Sequence, residues 1–271
     1  MPMRQRKKVA DLTLYILLVL LASIALLLLV APTAIVVILS FTDGYSLKFP
    51  PRGFSLRWYE KLLDNEQLLE AAWNSVRVGL LCTVFSVVLG SAAALGISRS
   101  TSHWAKMLDT FFMSPLVLPA LAFGLAALMY FSTLGVPLSF STLVIGHTVL
   151  GVPYVIRTTT AALTQLSTVL LESSASLGAS KWYTLRKVTL PLIAPGIAAG
   201  AFICFMSSFD NIPVSLFLRD ASTDMLPIRM WQDLENRMDV SIAAISSVMV
   251  FFTVALMVCM EKLTGISRRM R

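Results

Sequence analysis

An all-α membrane protein with six spanning helices is the fold class that the sequence predicts, on three observations. Of its 271 residues, 56% are hydrophobic and 14% charged, with a mean hydropathy of +0.77; a soluble domain carries about twice that charge. Six apolar stretches, near 12–39, 74–98, 108–131, 141–160, 192–218 and 240–261, have the length needed to cross a hydrocarbon layer of roughly 30 Å. Six such spans take about 120 residues, which leaves loops but no room for a separate soluble domain. Residues 1–271 therefore read as one transmembrane domain.

The first stretch follows Arg4, Arg6, Lys7 and Lys8, a basic start like that of a signal peptide, but the run from Leu12 to Leu39 far exceeds a cleavable apolar core and reads as a retained span. At 1.5 Å per residue it is about 42 Å long, so it tilts or emerges from the bilayer. Segment 54–72 places Leu56, Tyr59 and Leu63 at helical spacing between charges. It reads as an amphipathic outer helix that either meets an extracytoplasmic partner or rests on lipid head groups. Arg77 near the start of the second span snorkels or pairs with Asp210. The fourth span is the weakest, because Gly146, His147, Gly151 and Pro153 interrupt it, and irregular backbone needs protein neighbours in a membrane. No H-E-x-x-H or G-x-S-x-G motif accompanies His147, so it reads as a hydrogen-bonded packing residue.

The formal net charge of +7 does not point to nucleic acid, since Lys and Arg are scattered through short loops and form no single basic face. They report topology instead. The N-terminus, the 99–107 and 157–190 loops and the C-terminal tail hold 14 of the 22 basic residues, which places both termini in the cytoplasm. The longer outer loops, 41–73 and 219–239, carry five acidic residues each. Cys82, Cys204 and Cys259 sit in apolar stretches without CxxC spacing and read as small core hydrophobes, while the 13 methionines are too dispersed for a metal path. No repeat relates the two halves.

The segment 166–191, LSTVLLESSASLGASKWYTLRKVTLP, predicts two short helices meeting at a glycine turn. Ser167 caps the first, Gly178 takes the left-handed position that ends it, and Ser180 caps the second. Glu172, Gly178 six residues on, and Val188 with Leu190-Pro191 after nine more resemble the EAA loop of permease subunits of binding-protein-dependent ABC importers. Ser173 and Ser174 stand where that family has alanines, and Val188 where it has isoleucine. The resemblance covers essentially the whole chain and implies the type I (MetI-like) permease fold. It further implies that Glu172, Ser173, Ser174, Gly178, Ala179, Leu190 and Pro191 dock a cytoplasmic ATPase dimer, which binds the ATP and magnesium. This chain has no G-x-x-x-x-G-K-[ST] loop and no cofactor of its own. The implied partners are a second, different permease chain, an extracytoplasmic binding protein and the bilayer.

Asp210, in AFICFMSSFDNIPVSLFL from Ala201, is the conspicuous charge inside a span. Insertion of a carboxylate there costs about 2.5–3.5 kcal/mol, so it faces a polar path, caps a break or pairs with a neighbouring subunit. Ser207, Ser208 and Asn211 add hydrogen-bonding groups, and Pro213 prevents a regular helix just beyond. This stretch, FSLRWYEKLL from Phe54 and MSPLVLP from Met113 are similar to the spermidine/putrescine branch of the family. That likeness implies a translocation-path carboxylate at Asp210 and a gate aromatic at Trp58. The branch commonly has further acids where this chain has Asn211 and Leu116, which keeps smaller amines and other organic solutes open. An ion-coupled secondary transporter is the alternative; it would need more ionisable residues in its spans and no docking loop.

Overall fold

A computed structural model describes residues 3–98, 100, 102–236 and 239–264. Arg268, Arg269 and Arg271 of the basic tail lie outside the described residues. Apart from an isolated bridge between Thr42 and Phe54, the regular structure among those residues is helical. Five helices are each long and apolar enough to span a membrane, and a bent pair makes a sixth crossing if its arms count as one. The chain clusters into two compact units, Met1–Asp64 with Leu234–Val250 and Asn65–Asp233 with Phe251–Arg271.

In the first unit α1 (Met3–Ser40) extends beyond the predicted run to 38 residues, and its residues 11–30 are exposed all round. After it the chain folds back on α2 (Arg57–Leu63). Trp58 Nε1 donates to the Thr42 carbonyl at 3.0 Å, the Ser40 and Tyr59 hydroxyls bond at 2.7 Å, and the Phe41 and Tyr59 rings lie 5.2 Å apart.

The second unit contains α3 (Glu66–Ser98), α4 (His103–Val117), α5 (Ala120–Thr133), α6 (Phe140–Thr164), α7 (Thr168–Ser176), α8 (Lys181–Thr184), α9 (Leu190–Phe209) and α10 (Ile212–Leu218). Two further helices, α11 (Leu226–Asn236) and α12 (Val240–Thr264), are each divided between the two units. Asn65 Oδ1 accepts from Leu68 N at 3.1 Å and starts α3, so the expected amphipathic helix 54–72 is divided and residues 66–73 become the first turns of the second span. The predicted span 108–131 is likewise two helices, α4 and α5, bent by 105°. Pro119 offers no N–H and holds Leu118 extended (φ −74°, ψ 139°), which ends α4 there.

The fourth stretch, weakest in the sequence, forms the unbroken α6 and the most enclosed of the spanning helices. It packs against α3 and α9, which also pack on each other. Glycines permit this approach. A Cβ on Gly90 of α3 would lie 2.8 Å from Val155 Cβ, and one on Gly200 of α9 would lie 2.9 Å from Val155 Cα and overlap Thr158 Oγ1. Two polar side chains of this core are answered by neighbouring segments: Ser86 Oγ donates to the Thr148 carbonyl at 3.3 Å, and Thr142 Oγ1 to the Leu218 carbonyl at 3.0 Å. Cys82 and Cys204 are buried as expected; Cys259 is instead exposed on α12.

Replacing Gly200 by Val forces α9 away from the α6 backbone and is expected to destabilise the protein by about 1–3 kcal/mol. Gly96→Ala, which meets open space within α3, is expected to be neutral or to stabilise by up to about 1 kcal/mol. Thermal unfolding of the detergent-solubilised variants checks both; equal midpoints for the two would contradict the close-approach account.

Candidate functional site

The 166–191 segment folds as two helices about a glycine turn. Gly178 has φ +78°, a left-handed conformation that suits glycine. Its N–H bonds to the Ala175 carbonyl at 2.9 Å while Ala179 N reaches the Ser174 carbonyl at 3.1 Å, the paired closure of a Schellman turn. Ser180 Oγ accepts from Tyr183 N at 3.2 Å and starts α8. Ser167 occupies the cap position of α7, but its carbonyl, not its hydroxyl, takes the first bond, from Leu170 N at 3.2 Å. The Ser174 and Thr184 hydroxyls bond at 2.8 Å and tie the two helices together.

One feature differs from the expected pair of short helices. α8 does not stop: a single π turn, Leu185–Thr189, carries it into α9, so helix runs from Lys181 to Phe209. Pro191 explains the π turn, since a proline removes one backbone donor and clashes with the carbonyl four residues earlier, and the wider turn relieves both. Leu190 is half-buried and Pro191 exposed at the start of α9.

Between α7 and α8 lies a groove of about 670 Å³, lined by Leu170, Ser173, Ser174, Leu177, Gly178, Ala179, Ser180, Tyr183 and Val188. Leu177 at its rim is 88% exposed, and Glu172 stands exposed on α7 outside the lining. Leu177 and Tyr183 stand outside the docking set that the resemblance implies, although two large side chains in a Ser/Gly/Ala-rich turn are a signal for them.

The second candidate group surrounds a break in the predicted span 192–218. α9 ends at Phe209, Asp210 leaves the helical region (φ −103°, ψ 13°), and Asn211 Oδ1 accepts from Val214 N at 3.0 Å to start α10, with Pro213 in its first turn. Asp210 is exposed, and among the described residues of its unit no side chain pairs with its carboxylate. Arg77 does not reach it; its guanidinium lies 4.8 Å from the Phe140 ring centre. Ser207 is half-buried. Ser208 is buried and bonds His147 Nδ1 at 2.8 Å, and half-buried Asn211 uses its Oδ1 in the cap.

Trp58, expected to line a gate, is 2% exposed in the first unit. Its ring already meets the chain's own cations, Arg57 at 5.0 Å and Lys61 at 5.1 Å, with Tyr45 edge-on at 5.9 Å. The aromatic character was legible, but the neighbouring charges that cover it belong to the same helix and were read only as an amphipathic pattern. Beyond α10, Arg219 pairs with Asp224 at 2.8 Å. Burial pushes the Asp220 carboxyl up, but hydrogen bonds from Thr223 and Ser222 outweigh it and hold the group below its ordinary range.

The sequence matches a family described as binding-protein-dependent transport system inner membrane component over residues 86–269. It is 29% identical, over 86% of this chain and 90% of the relative, to the spermidine/putrescine transport system permease protein PotC of Haemophilus influenzae. It is 25% identical, over 86% and 88%, to the putative 2-aminoethylphosphonate transport system permease protein PhnV of Salmonella typhimurium. The fold is shared with a chain of a bacterial ABC transporter involved in the import of the acidic polysaccharide alginate, with TM-score 0.71 and 18% identity over 98% of this chain and 99% of that one.

A Cβ at a left-handed position costs about 1–2 kcal/mol. Gly178→Ala is therefore expected to loosen the turn and raise amide hydrogen exchange through 168–180 by about tenfold. Exchange unchanged from the parent would show that the turn does not depend on this residue.

Proposed function

The chain belongs to the family of binding-protein-dependent transport system inner membrane components, and from that premise we propose that it carries a polyamine or a related small amine inward by alternating access. It is a multi-pass inner-membrane permease subunit of an ABC importer, a transport component and not an enzyme. That membership sets aside the ion-coupled alternative. The observation that carries the amine reading is Asp210, an exposed carboxylate at the interruption of a spanning helix with no partner among the described residues. A carboxylate held there attracts a protonated amine through charge-assisted hydrogen bonds. The name of the Haemophilus relative supports a polyamine, and that of the Salmonella relative supports a smaller amine. Asn211 and Leu116 in place of acids favour a ligand with few positive charges.

Residues 1–271 act as one permease domain. Its groove between α7 and α8 receives the cytoplasmic ATPase, with Glu172, Ser173, Ser174, Gly178 and Ala179 at the contact and Leu190 and Pro191 where the docking helix enters the membrane. The concave lining and the exposed Leu177 support a protein contact. ATP and magnesium are held by that ATPase dimer, a second and different permease subunit completes the path, and an extracytoplasmic binding protein delivers the ligand. Both termini face the cytoplasm, supported by the distribution of basic residues. Asp210 and Ser207 line the path, while Ser208, Asn211 and Trp58 shape it from within the protein.

Uptake of radiolabelled putrescine by the reconstituted importer tests the amine reading, with Asp210→Asn expected to lower it at least about tenfold through loss of a desolvated charge pair. An unaltered rate removes Asp210 from the path. Glu172→Trp is expected to abolish uptake and ATPase binding while leaving the amount of inserted protein unchanged. ATPase recovery equal to the parent's on affinity purification would contradict docking at this groove.

A further inference from the structure

The imidazole of His147 is 2% exposed and engages through both nitrogens, Nδ1 at 2.8 Å from Ser208 Oγ and Nε2 at 3.1 Å from Ser215 Oγ. The two serines stand on opposite sides of the break at Asp210–Asn211, Ser208 in the last turn of α9 and Ser215 in the first turn of α10. Seven residues of continuous helix would set them about 10.5 Å apart along the axis. An imidazole with hydrogen bonds of ordinary length spans about 8 Å at most between its two partners. One imidazole therefore holds a residue of each helix across the break. A neutral imidazole offers one N–H and one lone pair, and a hydroxyl answers either, so the contact is satisfied without placing a charge in the apolar interior. The adjacent Gly146 lets α10 seat directly on α6: a Cβ there would overlap Leu218 Cδ1.

We propose that His147 is a positioning residue of the translocation path, a clamp that sets the angle between α9 and α10 and thereby fixes where Asp210 presents its carboxylate. The clamp lies on the rigid, enclosed α6, whereas Asp210 sits two residues from Ser208 in the one non-helical stretch between the two arms. The consequence for transport rests on the reading of Asp210 as a path residue; the clamp itself does not.

The test uses the whole importer in proteoliposomes, with spin labels at Ile203→Cys on α9 and Leu216→Cys on α10, two exposed positions, and other reactive cysteines, Cys259 included, replaced by serine. His147→Leu removes both bonds; Ser208→Ala/Ser215→Ala keeps the ring and deletes only its partners, and so serves if the first variant fails to insert. Both are expected to broaden the label-to-label distance distribution and to raise the KM for putrescine about tenfold, with kcat changed less. His147→Gln, which keeps an amide donor and acceptor, is expected to recover part of each effect. A distribution as narrow as the parent's in both variants would overturn the clamp. A broadened distribution with an unchanged KM would leave the clamp standing and overturn the assignment of Asp210 to the path.

Discussion

Water is absent from the hydrocarbon layer, so a polar group carried into a spanning helix is best answered by its own helix backbone or by another segment of the same protein. α6 concentrates this demand. Thr142 donates to the end of α10, the Thr148 carbonyl accepts from Ser86 on α3, and His147 engages α9 and α10 together. Such bonds require close helices, and glycines at 90 and 200 provide the approach by exposing backbone where a side chain would hold α6 off. Polar residues that look like defects in a hydropathy trace are therefore what fixes the register of α3, α9 and α10 around the central helix.

That core supports a mechanical arrangement. The groove between α7 and α8 lies at one end of a continuous helical run, Lys181–Phe209, and Asp210 follows its other end. A helix of that length is about 43 Å long, and it stays continuous although Pro191 and Pro195 each remove a backbone donor. The π turn lies where Pro191 would otherwise break the run, and it preserves continuity by widening a single turn. A pull on α8 thus reaches α9 directly, which suits an importer whose nucleotide chemistry takes place on another subunit.

Composition and run length made the fold class legible, because exclusion of charge from helices of about 20 residues is a local requirement of the bilayer. The glycine turn was equally legible: a left-handed Gly178 and a cap at Ser180 depend on neighbouring residues alone. What escaped was non-local. The bend at Leu118 was encoded by Pro119, yet an apolar run reads the same straight or folded. Trp58 has the right chemistry for a cationic ligand, but Arg57 and Lys61 of its own helix cover the ring. The partnership of Ser208 and Ser215 with His147 joins positions 61 and 68 residues apart, a pairing that no periodicity in one segment reveals.

The helical run Lys181–Phe209 ends at the interruption Asp210–Asn211, which separates it from α10. The pieces on either side are constrained differently: α9 is packed along α3 and α6, while α10 is short and lies on α5 and α6. With Asn211 capping α10 and Pro213 in its first turn, the break costs few unsatisfied backbone groups and can persist in the bilayer. The same interruption leaves Asp210 exposed, with no partner for its carboxylate among the described residues, while the His147 bridge keeps α9 and α10 joined across it. A charge is therefore placed directly beyond the end of α9, beside the His147 bridge, where the surroundings of Asp210 depend on how α9 and α10 are held.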